Sequence, residues 1–308
     1  MASKKPRARS PLKNPGAPIC ISGRTRITAI FGDPVEHSMS PAMHNAAYAA
    51  LGMDRVYLAF QVTPKNFPAA MHAMPALGIL GVNLTVPHKE AAARMLKNLS
   101  AEAKLLRAVN CVINDHRGRL RGDNTDARGL ERDLRALNVD IRSRLAIVIG
   151  AGGAAAASIL ACSRMGAARI VVANRTRSRA VNLARRFPSS YASRRIELAA
   201  RGLDALTDAS MLADAALVLN ATSMGLTTRT FAPLDYAATS PKCFFYDAIY
   251  RAEPTLFLRE AIALGRPHAD GTGMLINQGE LAFELFNRVA PPAGVMGQAL
   301  LERLGRTR

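Results

Sequence analysis

A chain of 308 residues, 49% of them hydrophobic, carries enough apolar material for two modest domains sharing a cleft. No apolar run reaches the roughly eighteen residues that span a bilayer, and no apolar stretch follows the charged opening Met-Ala-Ser-Lys-Lys-Pro, so neither a membrane span nor a secretory signal is expected. The formal charge of +18, from 41 basic and 23 acidic residues, suits a body that attracts small anions.

In chain order, residues 1–24 hold Lys4, Lys5, Arg7, Arg9, Lys13 and Arg24 without an acid, and proline and serine break the segment. It reads as a disordered, solvated basic tail; a nucleic-acid or membrane arm is the lesser reading. Ile27 to Phe31 reads as a strand ending at Gly32. Ser40 is expected to be the N-cap, and Pro41 the first residue, of a helix closed at Gly52. Val56, Leu58, Phe60 and Val62 alternate with Tyr57, Ala59 and Gln61, which predicts a strand with one face more buried. Thr63-Pro64 opens the next helix. Gly81 to Val86 is a strand stopped by Pro87, residues 109–113 and 119–122 form a hairpin around Gly118, and a helix runs from Thr125 to about Leu137. Leu145 to Ile149, Ile170 to Ala173, Ala215 to Asn220 and Cys243 to Asp247 read as buried parallel strands, and the stretch from about Met274 is helical. Repeated strand–helix units with short apolar strands predict an α/β protein with a doubly wound sheet.

Gly150-Ala151-Gly152-Gly153-Ala154-Ala155 follows a strand and opens a helix. Glycines there let the backbone turn tightly and approach a pyrophosphate, and the helix N-terminus offers free N–H groups. Small residues also serve plain strand–helix packing, but the strand–loop–helix context favours a dinucleotide. An NAD site usually ends its second strand with an acid that bonds the ribose. This chain instead has Asn174-Arg175-Thr176-Arg177-Ser178-Arg179, whose arginines can fork onto a 2′-phosphate. The bland reading, a solvated basic helix start, is disfavoured because cations at a helix N-terminus oppose its dipole. NADP is therefore the expected cofactor.

The first half carries His37-Ser38-Met39-Ser40-Pro41, Asn83-Leu-Thr85-Val-Pro87-His-Lys89, Ala108-Val-Asn110 and Gly122-Asp-Asn-Thr-Asp126. Singly, Ser40 or Asp126 is a helix cap and Lys89 a solvated lysine. Together with Asn220-Ala-Thr-Ser-x-Gly225, Tyr246-Asp-x-x-Tyr250 and Asp270-Gly-x-Gly-Met-Leu-x-x-Gln278, and in this order from Thr25 to Leu301, they closely resemble the shikimate dehydrogenase family.

The resemblance implies reduction of 3-dehydroshikimate to shikimate with NADPH, a step of chorismate and aromatic amino acid biosynthesis. Lys89 and Asp126 would be the catalytic pair. Ser38, Ser40, Thr85, Asn110, Asp126 and Gln278 would bond the substrate, with Tyr250 near it. The glycine loop 150–154 with Asn174, Arg175, Thr176 and Arg179 would hold NADP, and Thr222, Ser223 and Gly273 would lie near its nicotinamide end. The implied organisation is a substrate-binding α/β domain over 25–125, completed by C-terminal helices over 272–308, and a Rossmann-type NADP domain over 126–271. Departures from the family pattern are Ala127, His88 and Ala248, which stand where a glycine, an aromatic and a larger apolar residue are common. The competing readings are a quinate/shikimate dehydrogenase with relaxed NAD(P) use and a catalytically silent NADP- or metabolite-binding regulator. Neither the four scattered cysteines nor His37 and His44 make a ligand set, so no metal is expected, and the thiols read as reduced in a cytoplasmic setting. The expected partners are small molecules, not nucleic acid or membrane, and a homodimer is compatible with the sequence.

Overall fold

The strand-forming runs sort into two six-stranded sheets in the computed structural model, which describes residues 21–115, 117–187, 190–191, 194–224 and 230–306. The basic tail up to residue 20, and Gly225, lie outside the described residues. The first half forms β1 (Arg26–Gly32), α1 (Ser40–Ala50), β2 (Arg55–Gln61), α2 (Phe67–Ala76), β3 (Gly81–Leu84), α3 (Lys89–Met95), β4 (Asn98–Leu99), α4 (Ala101–Leu106), β5 (Cys111–Asn114) and β6 (Leu120–Asp123). Its sheet runs β2-β1-β3-β5-β6-β4, with β1 parallel to β2 and β3, and β5 antiparallel to β3 and β6.

Three local expectations are corrected here. Ser40 is not a cap: Met39 holds the N-cap position, the Ser40 N–H donates to Ser38 Oγ at 3.3 Å, and the Ser40 side chain faces a cavity. Pro41, which has no N–H, then stands in the first turn, where none is needed. Helix α2 starts at Phe67 rather than after Thr63, because residues 63–66 make a separate turn in which the Asn66 N–H bonds the Thr63 carbonyl at 3.0 Å. Alternation in β2 fails as well. Tyr57 is 1% exposed and Phe60 39% exposed, since β2 is an edge strand. Helix α1 covers its start: Asn45 exchanges two hydrogen bonds with the Tyr57 backbone, at 2.8 and 3.0 Å.

Helix α5 (Asp126–Ala136) leads to the second half, which forms β7 (Leu145–Ile149), α6 (Gly153–Arg164), β8 (Arg169–Ala173), α7 (Arg177–Ala184), the separate antiparallel pair β9 (Ser190–Tyr191) and β10 (Arg194–Arg195), β11 (Glu197–Arg201), α8 (Ala209–Ala213), β12 (Ala215–Asn220), β13 (Phe244–Asp247), α9 (Leu256–Ala263) and β14 (His268–Ala269). The order β11-β8-β7-β12-β13-β14 is parallel throughout and is the doubly wound dinucleotide-binding order, reversing between β7 and β12. The chain returns through α10 (Thr272–Asn287) and α11 (Val295–Arg303), which pack on α1. A Cβ on Gly81 would fall 2.1 Å from the Phe286 ring, so glycine admits α10 against β3. Helices α5 and α10, the two crossings between sheets, lie against each other. A Cβ on Gly129 would come within 2.7 Å of the Gln278 Cβ. No helix among the described residues is long and apolar enough to cross a membrane.

Candidate active site

A cavity of about 230 Å³ opens between the two sheets. Its wall brings together Ser38, Ser40, Thr85, Lys89, Asn110, Asp126, Tyr250 and Gln278, residues spread over most of the sequence. The architecture explains the convergence. Thr85 follows β3, Lys89 opens α3, Asn110 precedes β5 and Asp126 opens α5. The Val109 N–H bonds the Lys89 carbonyl at 2.9 Å, pinning the start of α3 to the β5 approach.

Lys89 Nζ donates to Asp126 Oδ2 at 2.7 Å, and Asn110 Nδ2 donates to Asp126 Oδ1 at 2.7 Å. Both carboxylate oxygens are therefore committed. The Asn110 amide is itself oriented, because its Oδ1 accepts from the Thr125 N–H at 2.8 Å. The Asp126 N–H bonds Asn124 Oδ1 at 3.0 Å, and the carboxylate sits at a helix N-terminus, which favours its negative charge. The Asp126 side chain is 8% exposed and that of Lys89 27%, so the pair is largely shielded while the amine still reaches the cavity.

Beneath this pair runs a network the sequence motifs did not assign. The Tyr57 hydroxyl donates to Asn83 Oδ1 at 2.8 Å, and Asn83 Nδ2 donates to the Asn110 carbonyl at 3.1 Å. Burial pushes the Tyr57 phenol well above its usual range, so it stays a donor. His44 stacks on Tyr57 at 4.1 Å, and burial lowers it to about 3, so it is neutral. Asn83 was findable: it opens the Asn83-Leu-Thr85 motif, and both residues line the cavity. His37 also lines the cavity. His88 stacks on Phe67 at 4.4 Å and puts Nε2 2.6 Å from the Val62 carbonyl, so the ring ties the start of α3 to the end of β2.

On the second sheet the predicted cofactor residues gather at the C-terminal strand ends. Gly150 has φ +123°, and a Cβ there would meet the Ala221 carbonyl oxygen at 3.0 Å, so the turn itself demands glycine. Gly152 and Gly153 are different. A Cβ on either would meet nothing within 4 Å, so protein packing does not require them. Open ground over the first turn of α6 fits the approach of a pyrophosphate to free N–H groups. Ala151 and Ala154 complete the loop. Asn174 Nδ2 bonds the Thr176 carbonyl at 2.9 Å, and Arg175, Thr176 and Arg179 are exposed. Among the described residues no carboxylate pairs with either arginine.

Thr222 is fixed by Asn220, whose Oδ1 accepts its hydroxyl at 2.7 Å; Ser223 beside it is exposed. Asp247, buried at the end of β13, accepts from Asn220 Nδ2 and the Ile249 N–H at 3.0 Å each, and from the Thr255 hydroxyl. Burial raises its carboxyl to about 6. It thereby ties the β12 loop to Ala248 and Tyr250 in the cavity wall. Gly273 stands outside that wall and faces Asp133.

Residues 30–112 match the family model described as the shikimate dehydrogenase substrate binding domain, residues 133–226 that of shikimate / quinate 5-dehydrogenase, and residues 271–301 that of the shikimate 5′-dehydrogenase C-terminal domain. The shikimate dehydrogenase (NADP(+)) of Citrifermentans bemidjiense is 40% identical over 285 residues, covering 92% of this chain and 97% of that one. The chain belongs to the shikimate dehydrogenase family. Shikimate 5-dehydrogenase from Thermus thermophilus, solved in complex with NADP(H) and shikimate, superposes with a TM-score of 0.79 at 35% identity, over 91% of this chain and all (100%) of that one. A second shikimate dehydrogenase, solved with NADP+, gives a TM-score of 0.83 at 31% identity, over 94% of this chain and 98% of that one.

Proposed function

We propose that this chain catalyses the reversible reduction of 3-dehydroshikimate to shikimate with NADPH, as an oxidoreductase acting on a CH–OH group. The observation that carries the reading is the Lys89–Asp126 pair, 2.7 Å apart on the wall of a polar cavity. NADPH supplies the hydride. The carbonyl oxygen that receives negative charge needs a proton, and Lys89 Nζ is the donor placed to give it. Asp126 directs that amine through Oδ2, while Asn110 on Oδ1 keeps the carboxylate from swinging. The hydroxyls of Ser38, Ser40, Thr85 and Tyr250 and the amides of Asn110 and Gln278 offer partners to the carboxylate and hydroxyls of a small cyclic acid. In the oxidation direction the same groups run in reverse, with Lys89 taking the proton.

The glycine loop 150–154 with Asn174, Arg175, Thr176 and Arg179 holds NADP in this reading, with Thr222, Ser223 and Gly273 toward its nicotinamide end. Residues 25–125 and 272–308 form the substrate domain, and residues 126–271 the NADP domain. The buried thiols of Cys111, Cys162 and Cys243 suit a reducing cytoplasmic setting, and small molecules are the partners. The test is an assay of shikimate and quinate, each with NADP and with NAD, read by nicotinamide absorbance. Shikimate with NADP is expected to dominate. Turnover of quinate with NAD at a comparable rate would sink the reading.

A further inference from the structure

Asp133 lies two turns beyond Asp126 on α5, is 7% exposed, and stands outside the cavity wall. A carboxylate so buried needs partners. Its Oδ2 accepts from the Tyr246 hydroxyl at 2.6 Å, and burial together with the Asp133 charge holds that phenol well above its usual range, so it stays a donor. The first turn of α10 packs directly on the same carboxylate, since a Cβ on Gly273 would sit 1.9 Å from Oδ1. The carboxylate therefore rests on the first turn of α10, whose dipole favours negative charge, while burial, the larger effect, raises the carboxyl above its usual range.

Three wall-bearing segments meet at this one side chain. Helix α5 carries Asp126, α10 carries Met274, Leu275 and Gln278, and β13 leads into Ala248 and Tyr250. Asp126, Gly129 and Asp133 recur at i, i+3 and i+7, one face of α5. At Gly129 the two helices touch with no side chain from α5 between them, since a Cβ would come within 2.8 Å of the Gln278 nitrogen. A shift of α10 at Asp133 therefore moves Gln278 relative to Asp126. Its hydrogen-bond partner Tyr246 belongs to neither the glycine loop nor the arginine cluster, and Asp133 reaches the nucleotide side only through Gly273.

We propose that Asp133 is a positioning residue, which sets α10 and the end of β13 against α5 and so fixes Gln278 and Tyr250 relative to Asp126 across the cavity. What those residues bind rests on the functional reading above. The test uses the full chain with Asp133→Asn and Tyr246→Phe. Each should lower kcat/KM for shikimate roughly tenfold or more, mainly through KM, as expected when a buried polar group loses its partner. KM for NADP should move less than KM for shikimate, since Asp133 reaches the nucleotide side only through Gly273. Asp133→Asn removes the charge but keeps an acceptor oxygen and Tyr246→Phe removes the donor, so the double variant should lose less than the sum of the two. Should Asp133→Asn fail to fold, Tyr246→Phe, which removes one hydroxyl, decides. Amide hydrogen exchange over residues 272–275 needs no substrate and should quicken in both variants. A wild type that ignores shikimate would sink the functional reading, while the exchange still tests the positioning. Unchanged exchange, or kcat/KM for shikimate within about twofold of wild type in both folded variants, would overturn it.

Discussion

On the first-sheet side of the cleft the polar groups are buried and bonded to one another: Asn110 is 2% exposed, Asn83 6% and Asp126 6%. On the second-sheet side Arg175, Thr176 and Arg179 stand in solvent, and Gly152 and Gly153 face open space. On the proposed reading the first wall is preorganised and would discriminate by leaving buried groups unpaired against a wrong ligand. The second would discriminate by charge and by backbone access, and its charge is screened by salt. One cleft thus joins a short-range reader to a long-range one.

The largest break should come from the buried wall. Lys89→Ala is expected to lower kcat by roughly a hundredfold or more with the fold retained, the scale for a positioned acid/base. Steady-state kinetics with circular dichroism checks it, and near-normal turnover would remove Lys89 from the mechanism. On the exposed wall, replacing Arg175 and Arg179 together with alanine should cut kcat/KM for NADP by about a hundredfold and leave NAD nearly untouched. The loss should shrink as salt rises, unlike the Lys89 effect; equal use of both cofactors by the wild type would end this assignment.

The two sides also respond to acid with opposite sign. His44, in the first body, is lowered to about 3, so between that value and the unfolded value of 6.5 only the unfolded chain binds the proton, and acidification through this window costs stability. Asp247, in the second body, is raised from 3.8 to about 6, so the folded state takes up the proton first, and acidification through that window adds stability. Each contribution is on the order of a few kcal/mol. Urea unfolding from pH 4 to 7 should show His44→Phe flattening the acid loss and Asp247→Asn removing the acid gain. Variants that tilt the profile the same way would contradict the assignment. The mildest change is Gly152→Ala, which meets no protein atom: KM for NADP should rise roughly tenfold with the unfolding temperature nearly unchanged. An unaltered KM would mean the pyrophosphate does not approach there.

Much of this site was legible because its chemistry sits at strand ends beside Gly and Pro, where a local motif specifies local geometry. The parallel, doubly wound character of the second sheet followed from its strand–helix repeats, though its two edge strands, β11 and β14, were not read. What escaped depends on pairing over distance. Tyr57 meets Asn83 26 residues away, and Asp133 meets Tyr246 113 residues away, so neither pair leaves a spacing to read. The alternation in β2 misled because α1 shelters only the start of an edge strand. Ser40 misled because a serine before proline matches both a cap and a cavity-facing hydroxyl, and only the position of Met39 decides.

The return of the chain through α10 and α11 has a consequence for birth on the ribosome. Phe283, Phe286 and Leu300 belong to the core beneath β1 and α1, yet they are synthesised after every strand of the second sheet. All six strands of the nucleotide-side sheet are available as soon as β14 emerges, with only the α10 contact on α5 outstanding, whereas the body begun first must wait with one flank of its core bare. The core that begins first in the sequence is thus the last to have all its segments, and domains generally close as units when their segments are available. A nascent chain arrested before residue 272 should resist protease within 145–269 and be cut within 26–123; the reverse pattern would show that the early sheet closes without its late helices.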